Sequence, residues 1–288
     1  EIGVRLVGSE MCIRDRTTNS GPRRRDQITG GYVHEVDAGL EPWVVVLDFK
    51  SMYPSIMIAN NICSTTLLRD GSVDDSHSVS PITETRYLSK EDRLGLVPQL
   101  LEQLMQSREV HKAALSAARE SGDEAEAFLQ DQLQYAVKIL MNSFYGVFAS
   151  SFYRFTHPDL GASITEWARH NIREIIAHVE KDGHEVVYSD TDSIFVKAPV
   201  DKESPINKPP EDSPIHAEWE RAKAETLRFG ESLASEFTKE GAELELETAL
   251  SAFFSHGAKK RYVGRVVWPR EEMLIRGYEV RRTDSFAL

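Results

Sequence analysis

Two long stretches of helical periodicity, separated by a three-residue break, constrain the fold of this chain more than any other feature. From about Val97 to Glu120, apolar residues recur at three- and four-residue spacing, and a second amphipathic stretch follows over 124–148. Between them, Ser121-Gly122-Asp123 interrupts the pattern with residues that end and begin helices. Two helices with so short a link pack as an antiparallel hairpin. We therefore predict a helical hairpin in the middle of the chain.

Segments typical of β-strands lie on both sides of this hairpin. Trp43–Leu47 is a continuous apolar run that ends on Asp48, which suits a buried strand. The stretch Glu185–Lys197, EVVYSDTDSIFVK, places two short runs of β-branched and aromatic residues around a polar break, the pattern of a tight β-hairpin. Strands before and after a helical insertion predict an α+β fold, in which helices back an antiparallel β-sheet.

The other segments complete this outline. We expect further strands at 32–36, 242–248 and 261–268, a turn at Ala38-Gly39, helices at 54–62, 160–181 and 217–239, surface loops at 70–86 and 253–260, and a proline-rich insertion at 199–214. The first sixteen residues show no steady period, so we expect the N-terminal segment to lie outside the fold.

Composition narrows the class of protein. With 288 residues, 41% of them hydrophobic, the chain can bury a substantial core. It contains no apolar run of membrane-spanning length and no signal-peptide zones, and its two cysteines form no disulfide framework, so we expect a cytoplasmic protein. The net charge of −12 argues against a polyanion held by bulk electrostatics, but residues 258–288 carry eight Lys or Arg against four acids.

Three aspartates follow or interrupt the predicted strands: Asp48, Asp190 and Asp192. If the strands are neighbours, the three carboxylates meet, and their mutual repulsion then requires cations. Sites made only of oxygen ligands select Mg²⁺. Taken singly, each aspartate is better explained as a turn former or a helix cap. The hypothesis of a metal site therefore depends on the three meeting in space.

Cationic side chains stand at similar heights on the predicted helical hairpin. Arg108 and Lys112 share one helical face, as do Lys138 and Asn142. At about 1.5 Å per residue, Arg108 and Lys138 both lie roughly 21–24 Å from the turn. Facing cations at one height suit a triphosphate clamp. The alternative is that these cations are solvated partners of nearby acids such as Glu109 and Asp131.

Two further stretches suit phosphate binding. In DFKSMYPS (48–55), backbone N–H groups at a strand-to-helix turn favour anions, and Tyr53 either lies beneath a sugar or packs in the core. KKRY (259–262) places three cations before a strand, which indicates contact with a phosphate backbone or a solvated loop.

In this order, DFKSMYPSIM (48–57), KILMNSFYG (138–146), YSDTDS (188–193) and KKRY (259–262) resemble motifs A, B and C and the lysine motif of family B DNA polymerases, in particular archaeal enzymes and bacterial DNA polymerase II. GGYV (30–33) and RGYEVRRTDS (276–285) extend the resemblance over nearly everything after residue 28.

The resemblance implies a two-Mg²⁺ DNA polymerase site. Asp48 and Asp192 would be the principal metal ligands, with the Phe49 carbonyl assisting and Asp190 in a lesser role. Ser51, Met52 and Tyr53 would contact the incoming dNTP, and Arg108, Lys112, Lys138 and Asn142 would grip its phosphates. The implied DNA contacts are Tyr145 and Gly146 at the nascent base pair, Gly30 and Gly31 near the template, and Lys259, Lys260, Arg261 and Tyr262 at the primer.

The implied subdomains are a palm over 28–87 and 150–288 and fingers over 88–149, with 1–27 outside the family similarity. We expect neither an exonuclease domain nor a thumb in this chain, so that it would be a fragment with weak or no processive synthesis. Two departures stand out: Ile28 replaces the tyrosine that usually opens the glycine motif, and Glu247 is a weak candidate for an accessory carboxylate.

The implied activity is template-directed transfer of deoxynucleotides from dNTPs to a primer 3′-hydroxyl, with primer–template DNA as partner, no membrane, and a sliding clamp contacted through regions outside this chain. Two alternatives remain: a non-catalytic DNA-binding module derived from a polymerase, or another palm-type nucleotidyltransferase. The intact acids, Lys138 and Asn142 weigh against the first, and the KxxxNSxYG spacing with Tyr53 weighs against the second.

Overall fold

A computed structural model describes residues 30–34, 37–68, 76–150, 153 and 157–278. Its strands are β1 (Ala38–Phe49), β2 (Ser78–Val79), β3 (Arg86–Tyr87), β4 (Val186–Asp190), β5 (Ser193–Lys197), β6 (Leu244–His256), β7 (Tyr262–Trp268) and β8 (Glu272–Arg276). Its helices are α1 (Met52–Ala59), α2 (Leu96–Ser121), α3 (Glu124–Ala149), α4 (Pro158–Lys181) and α5 (His216–Phe237). No helix among the described residues is long and apolar enough to cross a membrane.

The described part of the chain forms two compact units, and the α+β class with an antiparallel sheet backed by helices is confirmed. One unit, 30–59 with 165–278, holds a six-stranded antiparallel sheet in the order β4-β5-β1-β6-β7-β8. The other unit, 60–164, holds the helical hairpin and the small β2–β3 pair. The predicted N-terminal segment 1–27 and Ile28 lie outside the described residues.

Strand β1 is central because its apolar run is buried on both faces of the sheet. Val44 and Val46 belong to a core cluster with Tyr188 and Phe195, while Trp43 packs on the opposite face with Trp219 of α5. Strand β1 is therefore packed against apolar side chains on both faces of the sheet.

The predicted helical hairpin is formed, and the residues between its helices cap the end of α2 and the start of α3. Gly122 ends α2 in the left-handed region with φ 74°, and its N–H is donated to the carbonyls of Ala118 and Arg119. The Asp123 side chain then opens α3 by accepting the N–H of Glu126 at 3.0 Å. These are the roles that glycine and aspartate have at helix ends.

The compact units divide at 59/60 and 164/165, so 60–87 and 157–164 group with the hairpin. Asn61 explains part of this grouping: its side chain donates to the carbonyls of Leu88 and Arg93 and accepts the N–H of Gly95, each at 2.8 Å. The buried Tyr87 hydroxyl also hydrogen-bonds Ser163 at 2.9 Å.

Several local predictions are wrong. Ala38-Gly39 is no turn but the start of β1, and 253–256 are no loop but the end of β6, because Ala38 pairs with His256 and Leu40 with Phe254. Strand β8 was not foreseen, and within 32–34 only Val33 forms a bridge. Helix α1 runs two residues earlier at its start and ends at Ala59 rather than Ile62.

Candidate active site

A row of four side chains crosses the sheet where β1 and β5 meet. Asp190 pairs with Ser193, Ser193 pairs with Asp48, and Asp48 pairs with Glu245, each on a neighbouring strand. Directly opposed residues of antiparallel strands point to the same face of a sheet. At about 4.8 Å per strand, Asp48 and Glu245 are immediate neighbours, whereas Asp190 lies roughly 10 Å from Asp48.

Asp192 joins this row through the backbone. The N–H of Phe49 is donated to the carbonyl of Asp192 at 2.9 Å, so the residue after Asp48 is bonded directly to the turn that follows β4. Asp192 is exposed and Asp48 is half-buried. Strand β1 thus lies next to the Asp190–Asp192 turn, which is the condition under which the aspartates could meet.

Asp190 has a different environment. Its carboxylate forms an ion pair with the Lys260 ammonium and accepts the Thr191 hydroxyl at 3.1 Å. A lysine partner neutralises the charge that the carboxylate would otherwise present to a cation. The ion pair places Lys260 beside the turn.

Two buried tyrosines line the same face: Tyr188, which was not singled out as a site residue, and Tyr262, which the resemblance assigned to the primer. Burial raises the pKa of Tyr188 to about 12, and its hydroxyl accepts the N–H of Lys260 at 3.0 Å. Burial also raises the pKa of Tyr262, while Arg276 acts in the opposite direction and the carboxylates of Asp190 and Glu247 add to the rise. Both phenols therefore stay protonated at neutral pH. Two-residue alternation from Asp190 back to Tyr188 is the signal that could have found the first of them.

Glu245 is a further acid that sequence reasoning missed, since only Glu247 was considered. The β1–β6 register shifts between Val46 and Leu47, and this irregularity sets Glu245 opposite Asp48. Like charges directly opposed on neighbouring strands destabilise a sheet unless a cation lies near them.

Within the described part of the chain, no group of three or more His, Cys, Asp or Glu is placed to hold a metal ion. Asp190 lies two strands from Asp48 and is paired with Lys260, so its carboxylate is set apart from that of Asp48. The oxygen donors of Asp48, Asp192 and the Phe49 carbonyl nevertheless fit Mg²⁺, which proteins commonly hold by one or two carboxylates together with substrate phosphates.

The turn after β1 places the predicted nucleotide contacts. Ser51 has φ 49° and its carbonyl accepts the N–H of Ser55 at 3.0 Å. The Met52 side chain is only 5% exposed and belongs to the core, so only its backbone can reach a ligand. Tyr53 is half-buried.

The helical hairpin carries the predicted phosphate grip. Lys112 lies 3.6 Å from Glu109, which is the solvated pairing considered as the alternative. Arg108 is half-buried, and its Nε is buried and has no hydrogen-bond partner among the described residues. The remaining members lie on α3: Lys138, Asn142 and Gly146 are exposed, and Tyr145 is half-buried.

The glycine and lysine motifs lie beside the Asp190–Asp192 turn. Gly30 accepts a hydrogen bond from Arg169 at 2.9 Å, and Tyr32 accepts the N–H of Thr191 at 2.9 Å. Lys259, Lys260 and Arg261 are exposed, whereas Tyr262 is buried in the core. Because the Tyr262 ring is buried, only its hydroxyl can lie near the polar face of the sheet.

Comparison with known proteins places the chain in a family. The model of DNA polymerase family B matches residues 6–208, a range that includes part of the segment expected to lie outside the similarity. A DNA polymerase of Thermococcus gorgonarius is 32% identical over 266 residues, which are 91% of this chain and 30% of that protein. A DNA polymerase of Desulfurococcus sp. (strain Tok) is 37% identical over 188 residues, covering 65% of this chain and 23% of that protein.

The solved structure of the family B DNA polymerase from Pyrobaculum calidifontis superposes with a TM-score of 0.62 at 25% identity, covering 93% of this chain and 32% of that one. The chain thus spans about 30% of the length of the relatives it matches. With motifs A, B and C in order and a family match over most of its length, the chain belongs to DNA polymerase family B.

Proposed function

We propose that this chain carries the polymerising centre of a DNA-directed DNA polymerase, which transfers deoxynucleotides from dNTPs to a primer 3′-hydroxyl. The observation that carries the proposal is the hydrogen bond from Phe49 N–H to the Asp192 carbonyl, which ties the motif A aspartate to the motif C turn. Palm and fingers are our names for the sheet unit and the helical hairpin.

Asp48, Asp192 and the Phe49 carbonyl would hold the divalent cations. When bound, two Mg²⁺ ions supply activation of the 3′-hydroxyl and stabilisation of the leaving pyrophosphate. The chain's own contribution is positioning: the core beneath β1 and β5 fixes the two aspartates, and Lys260 keeps Asp190 compensated. Asp190 then holds the turn through Lys260 and Thr191 rather than serving as a principal metal ligand.

The nucleotide contacts follow the family motifs. On the hairpin, we assign the triphosphate to Arg108, Lys112, Lys138 and Asn142. The buried Arg108 Nε has no partner within the described part of the chain, which supports a role for this arginine beyond surface pairing. Tyr145 and Gly146 are assigned to the nascent base pair. On the sheet unit, Ser51 and the Met52 backbone are assigned to the phosphates, and Tyr53 to the sugar.

The DNA contacts are assigned to exposed groups. Lys259, Lys260 and Arg261 form a basic turn before β7 and would hold the primer, while Gly30 and Gly31 lie on the same face beside motif C. The same proposal includes contact with a sliding clamp through regions outside this chain, and a cytoplasmic location. Two other candidates remain. Cation and dNTP binding distinguish the proposal from a non-catalytic module, and DNA-templated transfer distinguishes it from another palm-type nucleotidyltransferase.

Cation binding tests the assignment of the acids. We expect the chain to bind Mn²⁺ in the presence of dNTP. Binding is measured as the loss of the magnetic resonance signal of the free ion. Asp48→Asn and Asp192→Asn each weaken binding by about 10- to 100-fold, and Asp190→Asn weakens it less. Asp212→Asn, an exposed aspartate in the proline-rich insertion, is the matched control. Equal affinity in Asp48→Asn and the control would remove Asp48 from the site.

A further inference from the structure

The segment 30–34, called the strap below, runs along the edge of β4 and follows it into the motif C turn. The N–H of His34 is donated to the Ser189 carbonyl at 3.0 Å, and the N–H of Thr191 is donated to the Tyr32 carbonyl at 2.9 Å. Between these bonds Val33 forms an antiparallel bridge with Asp190. The strap therefore extends the sheet beside the residues that carry the acids.

Helix α4 anchors the strap from its other side. Arg169 donates to the Gly30 carbonyl at 2.9 Å, and the Arg173 guanidinium lies 4.9 Å from the centre of the Tyr32 ring. The two arginines are four residues apart and share one helical face. Ile172 and Ile176 of α4 are buried, so the strap is held by a helix that is itself anchored in a packed interior.

The strap meets the turn most closely at Gly31. A Cβ at this position would lie 2.7 Å from Thr191 Cγ2 and 3.3 Å from Thr191 Cα. At the neighbouring Gly30, no atom of the described residues lies within 4 Å of such a Cβ. Neither glycine has a positive φ, so the backbone itself accepts alanine at both positions. The three atoms nearest to a Cβ at position 31 all belong to Thr191, so the requirement for glycine there comes from this residue.

Thr191 occupies a strained position between the two aspartates. Its φ is 56°, in the left-handed region that a β-branched residue rarely adopts. Such a conformation persists only when its surroundings over-determine it. Here they do so through the Tyr32 carbonyl, the Asp190 carboxylate and the close face of Gly31.

We infer that Gly31 is a positioning residue for the motif C turn: its missing side chain lets the strap seat Thr191, and this seating sets where Asp190 and Asp192 stand relative to Asp48. The inference rests on the proposed function for its consequence in cation binding, but the seating of the turn is measurable by itself. It also gives the glycine motif a role in this chain that needs no contact with the template.

Four variants isolate the contact. Gly31→Ala introduces the clash, and Gly30→Ala adds the same methyl group where space is open. Thr191→Ser removes Cγ2 but keeps the hydroxyl that Asp190 accepts. The double variant Gly31→Ala with Thr191→Ser therefore relieves the 2.7 Å contact and serves as the rescue.

Two readouts on the intact chain separate positioning from general stability. Amide hydrogen exchange at Thr191 reports its bond to Tyr32, and we expect Gly31→Ala to accelerate it by at least about tenfold while Gly30→Ala leaves it unchanged. Mn²⁺ affinity in the presence of dNTP is expected to fall by about 10- to 100-fold in Gly31→Ala only. Compared with Thr191→Ser alone, the double variant should keep most of the exchange protection and most of the Mn²⁺ affinity that Gly31→Ala loses.

Unchanged exchange at Thr191 in Gly31→Ala, or a double variant no better than Gly31→Ala, overturns the inference. A lower melting temperature with wild-type Mn²⁺ affinity would also overturn it, because it would show a purely structural role. If Mn²⁺ binding by the parent chain does not depend on Asp48 or Asp192, the proposed function fails, and the exchange measurement still decides the role of Gly31.

Discussion

Tyr188 links three parts of the candidate site at the scale of one residue. Its ring packs in the core with Phe195, Phe253 and Tyr262, and its hydroxyl accepts the backbone N–H of Lys260. Lys260 itself has φ 62°, so this bond helps to fix a strained turn. A buried phenol thus orients the lysine that pairs with Asp190.

The raised pKa of Tyr188 predicts a specific alkaline response. Burial shifts the pKa in the folded chain to about 12, above the value of about 10 for an unfolded tyrosine. The folded state then holds the proton more tightly, so the associated stability is complete below about pH 10 and is lost as the pH rises towards 12.

Tyr188→Phe removes this titration and should flatten the loss of stability between about pH 10 and 12, measured by denaturant unfolding at each pH. Tyr153→Phe, at an exposed tyrosine, is the control and should follow the parent chain. If Tyr188→Phe declined as steeply as the parent, another group would cause the alkaline loss.

At the scale of elements, the helical hairpin is set by its turn. Gly122 accepts a left-handed conformation that any other residue resists, whereas Gly146 lies inside α3 with open space around a Cβ. The two glycines of the same hairpin therefore have opposite effects on stability.

We expect Gly122→Ala to destabilise the chain by about 1 kcal/mol because alanine is strained at positive φ. Gly146→Ala should stabilise it by about 0.5–1 kcal/mol because alanine is the better helix former. Urea unfolding of both variants measures the difference. Equal effects would show that Gly122 does not cap α2 as described.

The elements that sequence reasoning predicted are those whose determinants are local. The hairpin helices follow from periodicity and caps, and the β4–β5 hairpin follows from two short apolar runs around a polar turn. The extra length of β1 and β6 could not be predicted, since Ala38 and Gly39 become strand only by pairing with His256 and Ser255.

The same limit applies to the candidate site. Motif spacing identified Asp48 and Asp192, but the row from Asp190 to Glu245 depends on strand register and on an irregularity between Val46 and Leu47. Register is decided by packing between distant segments, so the pairing of Asp48 with Glu245 has no local signal.

At the scale of the whole molecule, charge is unevenly distributed. The net charge is −12, yet Lys259, Lys260 and Arg261 stand exposed together, and Lys260 pairs with Asp190 of the candidate site. Attraction to a phosphate backbone depends on such local charge and on counterion release rather than on the sum.

Neutralising Lys259, Lys260 and Arg261 with Ala should weaken binding to primer–template DNA and reduce the salt slope of the affinity by about two to three. A control variant with Ala at exposed Lys202, Arg221 and Arg228 removes the same charge elsewhere on the sheet unit. Titration of labelled DNA at several salt concentrations gives both slopes. The same slope in both variants would show that the basic turn is not the DNA contact.

Single-nucleotide addition tests the central claim most directly. The chain is mixed with Mg²⁺, primer–template DNA and the one complementary dNTP, and extension of the primer by one residue is followed in a single turnover. We expect templated addition by the parent chain and by Asp212→Asn, and a loss of at least about 10³-fold in Asp48→Asn and Asp192→Asn, because the metal ligands supply several kcal/mol of transition-state stabilisation. Addition at the parent rate in Asp48→Asn or Asp192→Asn would contradict the account.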